Sequence, residues 1–485
     1  MKLLLASSEV YPLAKTGGLA DVAGALPAAL QRAGVDVRVL LPAYRGLAAR
    51  LNAGPIASLG DPFGVGEARI LEGRLPDSAV IVWLLDCPAL YDRDGSLYLD
   101  GQGRDWADND LRFGLLSWAA ARLSQPSSPL GWVPDVLHGH DWQTGLAPAY
   151  LAAWGGPRPA TVFTIHNMAF QGCFSAQTLP RLGLPWSLFT MDACEYYGQL
   201  SYLKAGLALS DKLTTVSPSY AHEIQTQPNG FGLEGLLSWR ARDLVGILNG
   251  GDYRIWEPQQ DHRLVQRYGR ADVTAGKAAN KAALQAELGL PQSPDAPLLI
   301  VISRLTAQKG IDLLLTILPG LLAQGIQLVV LGNGERAFED AFVDLARQQP
   351  QQVATRIGYD EDLAHRMQAG GDILLMPSRF EPCGLTQMYA LRYGTLPVVH
   401  CTGGLADTIT DTGYDSLLHG TATGFVFSPA VASAFQWSVE RALALYRHGD
   451  HWRRIQAQAI QTSFSWDDAA RRYLALYHDA RAQRG

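Results

Sequence analysis

The chain has 485 residues, of which 47% are hydrophobic and 18% are charged, and its formal net charge is −6. This length exceeds what one ordinary hydrophobic core accommodates, so we expect two or three domains. The apolar content and modest charge exclude a disordered or fibrous protein. No long basic run occurs, which argues against a nucleic-acid partner.

The five cysteines are odd in number and scattered, without a CxxC pair or a zinc-type spacing (Cys87, Cys173, Cys194, Cys383 and Cys401). This usage favours reduced thiols and a cytoplasmic protein. The apolar start at Lys2–Ala6 runs directly into polar residues and is too short for the apolar core of a signal peptide. No stretch reaches the length of a membrane span, so we expect no membrane association.

The first half of the chain alternates short apolar runs with segments of helical periodicity. Leu3–Ser7 predicts a strand, and a glycine-containing loop follows it. Apolar residues over 22–33 then form one helical face, Gly34 ends the helix, and Val35–Val39 resumes as a strand. Such a unit builds a parallel sheet that helices cover on both faces. Further strands are predicted at 79–85, 135–138, 160–165 and 212–216.

A second series of apolar runs begins at Leu298 and predicts strands at 298–303, 327–331, 373–376 and 396–399. A polar segment around residues 250–267 has no strong period, and we place a hinge there. The pattern predicts an α/β fold with two Rossmann-like, doubly wound domains. Ligands in such sheets bind beyond the carboxyl ends of the strands, so we expect the two domains to face a central cleft.

One six-residue segment occurs twice, each time directly after a predicted strand: Thr16–Asp21 reappears as Thr402–Asp407. An internal duplication that merely forms tight turns explains the match. Alternatively, both loops line the cleft. The functional interpretation is favoured for the first copy because Lys15 precedes it, and both interpretations stay open for the second copy.

The first glycine loop has the features of an anion site. Gly17 and Gly18 let the backbone approach a ligand closely, and the helix that follows offers free N–H groups at its N-terminus. Lys15 adds a full positive charge for a phosphate. The loop matches neither the Walker pattern nor the Rossmann GxGxxG pattern.

Two loops of the second half carry complementary chemistry. Arg304 and Lys309 follow the strand at 298–303, so both cations can converge on one diphosphate. Glu381 follows the strand at 373–376 and can accept hydrogen bonds from sugar hydroxyls. The alternative interpretations are surface charges for the two cations and a helix cap for Glu381.

Histidines lie at strand ends in the first half and raise the question of a metal. His138, His140, Asp141 and His166 supply the right atom types. Their spacing fits no zinc pattern. A catalytic zinc site has three protein ligands and one coordination position open to water, and the expected third ligand and open position are missing here. We therefore predict no metal site.

Taken together, these segments resemble the glycogen and starch synthase family of retaining glucosyltransferases. The resemblance runs from Lys2 to about Tyr477, and its most specific motif is Pro377–Gln387. The other matching stretches are Lys15–Val22, His166–Asn167, Leu248–Gly250, Ser303–Gly310 and Thr402–Gly404.

The resemblance implies a GT-B architecture. Its N-terminal domain would span residues 1–250 on the acceptor side, its C-terminal domain 251–463 on the nucleotide-sugar side, and a helix over 464–485 would cross back. The implied reaction transfers glucose from ADP-glucose to the non-reducing end of an α-1,4-glucan, which is glycogen or a malto-oligosaccharide. It needs no cofactor and retains the anomeric configuration. UDP-glucose stays open as the donor.

The family also implies roles for individual residues. Lys15, Arg304 and Lys309 would hold the diphosphate, and Glu381 would hold the glucosyl hydroxyls. His166 would lie against the donor sugar near the reacting carbon. Glu381, His166, Arg304 and Lys309 are therefore the implied catalytic residues. The implied contacts with ADP-glucose also include Lys15, Gly17, Gly18, Asp21, Asp141, Asn167, Cys383, Gly384, Leu385 and Thr386.

Two places depart from the family pattern, and three alternative functions stay open. Gly251 stands where the family usually has isoleucine, and His400-Cys401 precedes the second glycine loop where basic or small residues are common. Tyr389 stands where many related transferases outside the synthases carry a second glutamate, which fits the synthase family. The alternatives are a glucan phosphorylase, a nucleotide-sugar epimerase and a glycan-binding protein without activity. The joint presence of Lys15, Arg304 and Glu381 argues against the last of these.

Overall fold

The computed structural model describes residues 1–76 and 78–484, which divide into two compact units. The first unit contains the described residues of Met1–Gly250 together with those from Trp466 onward, and the second unit contains Gly251–Ser465. No helix within the described residues is both long enough and apolar enough to cross a membrane.

The chain alternates between strands and helices throughout. The strands of the first unit are β1 (Lys2–Ala6), β2 (Asp36–Pro42), β3 (Gly54–Gly60), β4 (Ala68–Arg74), β5 (Ile81–Asp86), β6 (Val136–His140), β7 (Ala160–Ile165), β8 (Cys173–Ser175), β9 (Glu195–Tyr196), β10 (Gln199–Ser201), β11 (Lys212–Thr215) and β12 (Leu244–Gly246). Those of the second unit are β13 (Leu298–Ile302), β14 (Gln327–Gly332), β15 (Val353–Ile357), β16 (Ile373–Met376), β17 (Leu396–His400) and β18 (Phe425–Phe427).

Helices follow most of these strands. They are α1 (Gly18–Arg32), α2 (Leu47–Arg50), α3 (Pro88–Tyr91), α4 (Asn109–Leu123), α5 (Ala147–Trp154), α6 (Thr178–Arg181), α7 (Tyr202–Leu209), α8 (Pro218–Glu223), α9 (Glu234–Trp239), α10 (Val273–Glu287), α11 (Ile311–Leu322), α12 (Arg336–Gln348), α13 (Glu361–Gly370), α14 (Thr386–Tyr393), α15 (Gly403–Thr408), α16 (Tyr414–His419), α17 (Ala432–Arg447), α18 (Gly449–Gln461) and α19 (Trp466–Ala482). Short 3₁₀ turns occupy Trp142–Thr144, Trp186–Leu188 and Ala307–Lys309.

The main sheet of the first unit has the strand order β12-β11-β7-β6-β1-β2-β5-β4-β3. Its strands are parallel except for β3 and β4, which pair antiparallel at one edge. The chain leaves β1 toward β2 on one side and later returns to β6 on the other side. The carboxyl ends of β1 and β6 therefore form a topological switch point, where α/β sheets bind their ligands.

The second unit contains one six-stranded parallel sheet in the order β15-β14-β13-β16-β17-β18. Numbered within the unit, this order is 3-2-1-4-5-6, which is the order of the doubly wound nucleotide-binding fold. The switch point lies between β13 and β16, where Leu299 pairs with Ile373 and Ile300 with Leu374.

The strands form because apolar runs of four to six residues are buried on both faces of a parallel sheet. Leu298 to Val301 are at most 1% exposed, as are Ile373 and Leu374. The α/β prediction with two doubly wound sheets is confirmed. The sequence did not reveal the antiparallel β3–β4 edge or the small sheet β8-β10-β9.

Helix α19 belongs to the first unit although it follows the second unit in sequence. Its Trp466, Tyr473 and Tyr477 side chains are buried in the same apolar core as β1 and β6. The boundary between the units falls at Gly250 and Gly251. Hinge motion at 250–267 stays a prediction.

Candidate active site

The donor-binding residues predicted in the second half follow the two strands at its switch point. β13 ends at Ile302 and leads to Arg304 and Lys309, whereas β16 ends at Met376 and leads to Glu381. Because β13 and β16 are neighbours in the sheet, their loops meet at one edge.

Lys309 and Glu381 form an ion pair at this edge. Nζ of Lys309 lies 2.5 Å from Oε2 of Glu381, and the Ser378 hydroxyl donates to the same oxygen over 3.0 Å. Only 9% of the Glu381 side chain is exposed, so the carboxylate has one fixed orientation. The cap position of α14 is Leu385, and no side chain caps it. The helix-cap interpretation of Glu381 is therefore excluded.

Arg379 holds the loop that carries the two predicted cations. Its guanidinium forms a bidentate ion pair with Asp312 at 2.7 and 2.6 Å, and it donates to the Ala307 carbonyl over 2.6 Å. The Arg304 side chain is exposed, and it has no hydrogen bond or ion pair within the described part of the chain. The loop thus combines a cation held in an ion pair at Lys309 with an exposed cation at Arg304.

The turn after Glu381 points its carbonyl groups into the protein. Gln387 is fully buried, and its amide donates to the carbonyl oxygens of Cys383 and Gly384 over 3.0 and 3.1 Å. Gly384 has φ +71°, and a Cβ there would lie 2.4 Å from Oε1 of Gln387. The first N–H groups of α14, from Thr386 onward, have no intrahelical acceptor and are available to an anion.

The second glycine loop supports this turn through close backbone contacts. A Cβ on Gly403 would lie 2.1 Å from the carbonyl oxygen of Glu381, and one on Gly404 would lie 2.1 Å from that of Cys383. The Gly404 N–H also donates to the Glu381 carbonyl over 3.1 Å. Packing therefore accounts for the glycines of the second copy.

The first glycine loop is built differently. A Cβ on Gly17 or Gly18 would meet no described atom within 4 Å. Packing within the chain thus does not require glycine at either position, in contrast to the second copy. Lys15 pairs with Asp21 across the loop, with Nζ 2.7 Å from Oδ1.

Glu9 organises the first glycine loop, a role that the sequence analysis did not predict. Its buried carboxylate accepts hydrogen bonds from the N–H groups of Thr16 and Gly17 over 2.6 and 3.1 Å. It also accepts from the Thr16 hydroxyl over 2.5 Å and the Tyr98 hydroxyl over 2.6 Å. Glu9 therefore occupies the N–H groups of Thr16 and Gly17, whereas Gly18 begins the helix whose first N–H groups lack intrahelical acceptors.

A second group of predicted residues lies at the ends of β6 and β7. Asp141 follows β6 with φ +55°, and its carboxylate accepts the His166 N–H over 2.7 Å. The Asn167 N–H also reaches this carboxylate. Burial raises the pKa of Asp141 to about 7. Because β1 and β6 are neighbours, the group lies at the switch point of the first unit beside the Glu9 loop.

Three buried histidine rings extend inward from this group. Nε2 of His166 lies 2.9 Å from Nδ1 of His140, and the His140 and His138 ring centroids are 4.1 Å apart. Burial lowers the pKa of His166 and His138 to about 3, and that of His140 well below its ordinary value. The rings are therefore neutral at physiological pH. Within residues 1–76 and 78–484, no three side chains of His, Cys, Asp or Glu are grouped so as to hold a metal ion.

The structure thus sorts the predicted residues into two groups. The first unit holds Lys15, Gly17, Gly18, Asp21, Asp141, His166 and Asn167, and the second unit holds Arg304, Lys309, Glu381, Cys383, Gly384, Leu385 and Thr386. The sequence analysis assigned no positioning role to Glu9, Arg379, Gln387 or His140, which contact these groups. An acidic residue close behind a buried strand was the available signal for Glu9.

Two of the positions noted in the sequence, Tyr389 and His400, make specific local contacts. The Tyr389 ring stacks on Trp256, with centroids 4.4 Å apart and planes 7° from parallel. Nδ1 of His400 lies 2.9 Å from the carbonyl oxygen of Ser378, so this ring supports the segment before Glu381.

Comparison with known proteins agrees with the fold. Residues 2–239 match the family model of the starch synthase catalytic domain, and residues 288–460 match that of glycosyl transferases group 1. The solved catalytic domain of starch synthase IV from Arabidopsis thaliana, bound to ADP and acarbose, superposes with a TM-score of 0.88 at 31% identity and covers 99% of each chain. A sucrose-phosphate synthase from Thermosynechococcus elongatus shares the fold at 17% identity, with a TM-score of 0.60 over 99% of each chain. The fold is that of a two-domain GT-B glycosyltransferase.

Curated relatives show which family of GT-B glycosyltransferases the chain belongs to. A glycogen synthase from Paramagnetospirillum magneticum is 60% identical over 98% of this chain and 97% of its own length. One from Dechloromonas aromatica is 51% identical over 100% and 99% respectively. The chain belongs to the glycogen and starch synthase family.

Proposed function

We propose that this glycosyltransferase transfers glucose from ADP-glucose to the non-reducing end of an α-1,4-glucan, either glycogen or a malto-oligosaccharide, with retention of configuration. The observation that carries the proposal is the Lys309–Glu381 ion pair at the switch point of the second unit, beside the exposed Arg304. The two cations, Arg304 and Lys309, can bind a diphosphate, and the oriented carboxylate of Glu381 can accept hydrogen bonds from sugar hydroxyls. The solved relative bound to ADP and acarbose supports the choice of donor and acceptor.

The second unit would stabilise the leaving ADP. Arg304 and Lys309 place positive charge near the diphosphate, and the N-terminus of α14 adds N–H donors at Thr386. Charge that develops on the leaving group would thus meet preorganised donors without a metal. Glu381 is held by Lys309 and Ser378, which suits it to accept hydrogen bonds rather than to attack a carbon atom.

Retention would follow from attack on the face that ADP leaves. Retaining glycosidases instead use a carboxylate nucleophile and a covalent intermediate. With Glu381 committed to an ion pair, we assign the front-face route, in which the acceptor 4-hydroxyl replaces ADP from the same side. Closure of the site would exclude water and limit hydrolysis of the donor.

Residues of the first unit would complete the substrate contacts. Lys15 would add charge for the diphosphate, and His166 would lie against the donor sugar, held by Asp141. Gly17, Gly18, Asp21 and Asn167 would also contact the substrate. The cytoplasm is the proposed location, because none of the five cysteines forms a disulfide in the structure as described. Neither nucleic acid nor membrane would take part.

One assay tests the proposal. Purified protein is incubated with glycogen primer and radiolabelled ADP-glucose or UDP-glucose, and label is followed into polymer that an α-1,4-specific amylase degrades. We expect incorporation from ADP-glucose in excess of that from UDP-glucose. Equal or higher incorporation from UDP-glucose would contradict the donor assignment, and no incorporation from either donor would contradict the reaction.

A further inference from the structure

His140 is buried at the end of β6 and hydrogen bonds to the ring of His166. Its Nδ1 atom lies 2.9 Å from Nε2 of His166. Burial lowers the pKa of both rings, so each is neutral and carries one proton at physiological pH. In a contact between two ring nitrogens, one donates the proton and the other accepts it. Two arrangements of the protons are therefore possible.

The other nitrogen of His140 decides between them. Its Nε2 atom is buried and has no hydrogen-bond partner among the residues that the structure describes. If His166 donated through Nε2–H, His140 would accept at Nδ1, and its own proton would lie on this buried Nε2 atom. Such a donor without an acceptor is costly, and orphaned buried N–H groups are rarer than unpaired acceptors. The opposite arrangement leaves only a lone pair at that position.

We infer that His140 is a positioning residue that donates from Nδ1 to His166 and thereby fixes His166 as the tautomer with its proton on Nδ1. His166 Nδ1–H is then the ring donor that can serve a ligand oxygen, such as a sugar hydroxyl. The inference rests on the proposed function for the ligand, although the proton arrangement itself follows from the contacts of the two rings. His140 touches no substrate in this scheme.

His138 provides a matched control within the same cluster. It is as deeply buried as His140 and stacks against it, with ring centroids 4.1 Å apart. Its Nδ1 lies 2.8 Å from the Tyr477 hydroxyl and its Nε2 lies 2.6 Å from the Thr164 hydroxyl. Neither nitrogen bonds to His166, so replacing His138 disturbs the packing but leaves the proton on His166 in place.

The tautomer can be measured directly in the unaltered protein. The full chain is labelled with ¹⁵N-histidine, and long-range ¹H–¹⁵N correlation spectra separate protonated from unprotonated ring nitrogens. The signals of His166 are assigned by their loss in His166→Gln. We expect a protonated Nδ1 and an unprotonated Nε2 for His166, and the reverse pattern would overturn the inference.

Variants connect the tautomer to activity. In His140→Asn the amide N–H replaces the Nδ1 donor, whereas His140→Leu removes it. We expect His140→Leu to lower kcat with ADP-glucose and glycogen by about 10- to 100-fold, and His140→Asn to restore most of that loss. His138→Asn should leave the His166 tautomer unchanged. Equal kcat in the two His140 variants would refute the positioning role.

The two proposals fail in different ways. If the unaltered protein incorporates no glucose, the proposed function is wrong, and the spectrum of His166 still decides the tautomer. If His140→Leu does not fold, the spectrum of the unaltered protein remains the test. A protonated Nε2 on His166 in a protein that makes polymer would refute this inference alone.

Discussion

The carboxylate of Glu9 accepts a hydrogen bond of 2.6 Å from the backbone N–H of Thr16. This contact places an internal anion under a loop that the sequence marked as an anion site. The N–H of Gly17 is also bound by Glu9, which leaves Lys15 and the first turn of α1 to meet an external phosphate. Glu9 therefore sets the shape of the loop, and its removal should lower the stability of the first unit and weaken the binding of the donor.

Glu9→Ala should destabilise the first unit and weaken the donor site. Its loss removes the charged acceptor of the part-buried Thr16 N–H and hydroxyl and one of the two partners of the Tyr98 hydroxyl, which costs about 1–3 kcal/mol. Glu9→Gln keeps an oxygen for the N–H groups and should retain more of the stability. Urea unfolding and the KM for ADP-glucose measure the two effects. Equal stability of the alanine variant and the unaltered protein would contradict this role for Glu9.

Lys309→Ala should lower turnover at least ~100-fold, by analogy with the loss of one preorganised donor to a developing anion. The variant also leaves the Glu381 carboxylate buried without its ion-pair partner. Initial rates of glucose incorporation measure the effect. Arg336→Ala removes a highly exposed cation of the second unit and serves as the control. Near-normal turnover in Lys309→Ala would refute the assignment.

The duplicated segment offers a matched pair of substitutions, Gly18→Ala and Gly404→Ala. A Cβ on Gly404 would lie 2.1 Å from the Cys383 carbonyl oxygen, so we expect that variant to lose about 1–3 kcal/mol of stability. A Cβ on Gly18 meets no described atom within 4 Å, and stability should change by no more than about 0.5 kcal/mol.

The two glycine variants should also differ in their kinetics with ADP-glucose. If the first loop approaches the diphosphate, Gly18→Ala raises the KM for ADP-glucose roughly tenfold, which corresponds to about 1.4 kcal/mol. Thermal unfolding and steady-state kinetics of both variants test the pair. A strongly destabilised Gly18→Ala variant would show that packing also fixes the first copy.

The histidine cluster should make the first unit sensitive to acid. Burial lowers the pKa of His138 and His166 to about 3, whereas an unfolded histidine titrates near pH 6.5. Below pH 6.5 the unfolded chain binds protons that the folded chain excludes, so stability is complete above pH 6.5 and falls toward pH 3. Each such histidine contributes about 1.4 kcal/mol per pH unit.

Asp141 has the opposite effect on the dependence of stability on pH. Its pKa is raised to about 7, so between about pH 4 and 7 the folded chain binds a proton that the unfolded chain lacks. His138→Asn should therefore flatten the dependence of stability on pH, and Asp141→Asn should steepen it, each by about 1.4 kcal/mol per pH unit. Urea unfolding between pH 4.5 and 8, followed by hydrogen exchange of β6 and β7, measures the slopes. Parallel slopes in the two variants would rule out this account.

Tyr197 should be replaceable with a gain in stability. It forms the two-residue connection between β9 and β10 with Gly198 and has φ +48°, a conformation that suits asparagine better than an aromatic residue. Its side chain is 81% exposed, so little packing is lost. Tyr197→Asn should stabilise the protein by about 1 kcal/mol. A lower thermal midpoint would contradict the prediction.

The sequence was informative wherever a local pattern determines the structure. Apolar runs identified the parallel strands, and the loops after β13 and β16 identified Arg304, Lys309 and Glu381. The strand order of the sheet brings these loops together, and no local sequence pattern predicts that order. The role of Glu9 was missed because its bonds to Thr16 and Gly17 depend on how the intervening loop folds back, and its bond to Tyr98 joins residues 89 positions apart. The different contacts of the two identical glycine segments were missed because tertiary neighbours, and not the six residues themselves, decide them.

The burial of Tyr473 and Tyr477 against the histidine cluster also bears on how the protein is made. The first unit is interrupted in sequence by the whole of Gly251–Ser465, and its last helix emerges from the ribosome only afterwards. At synthesis rates of about 5–20 residues per second, that interval lasts about 10–40 s. During that time the surface that α19 covers is exposed on a nascent chain. The unit whose synthesis starts first therefore completes its core last, and chaperones can protect its exposed surface during this interval.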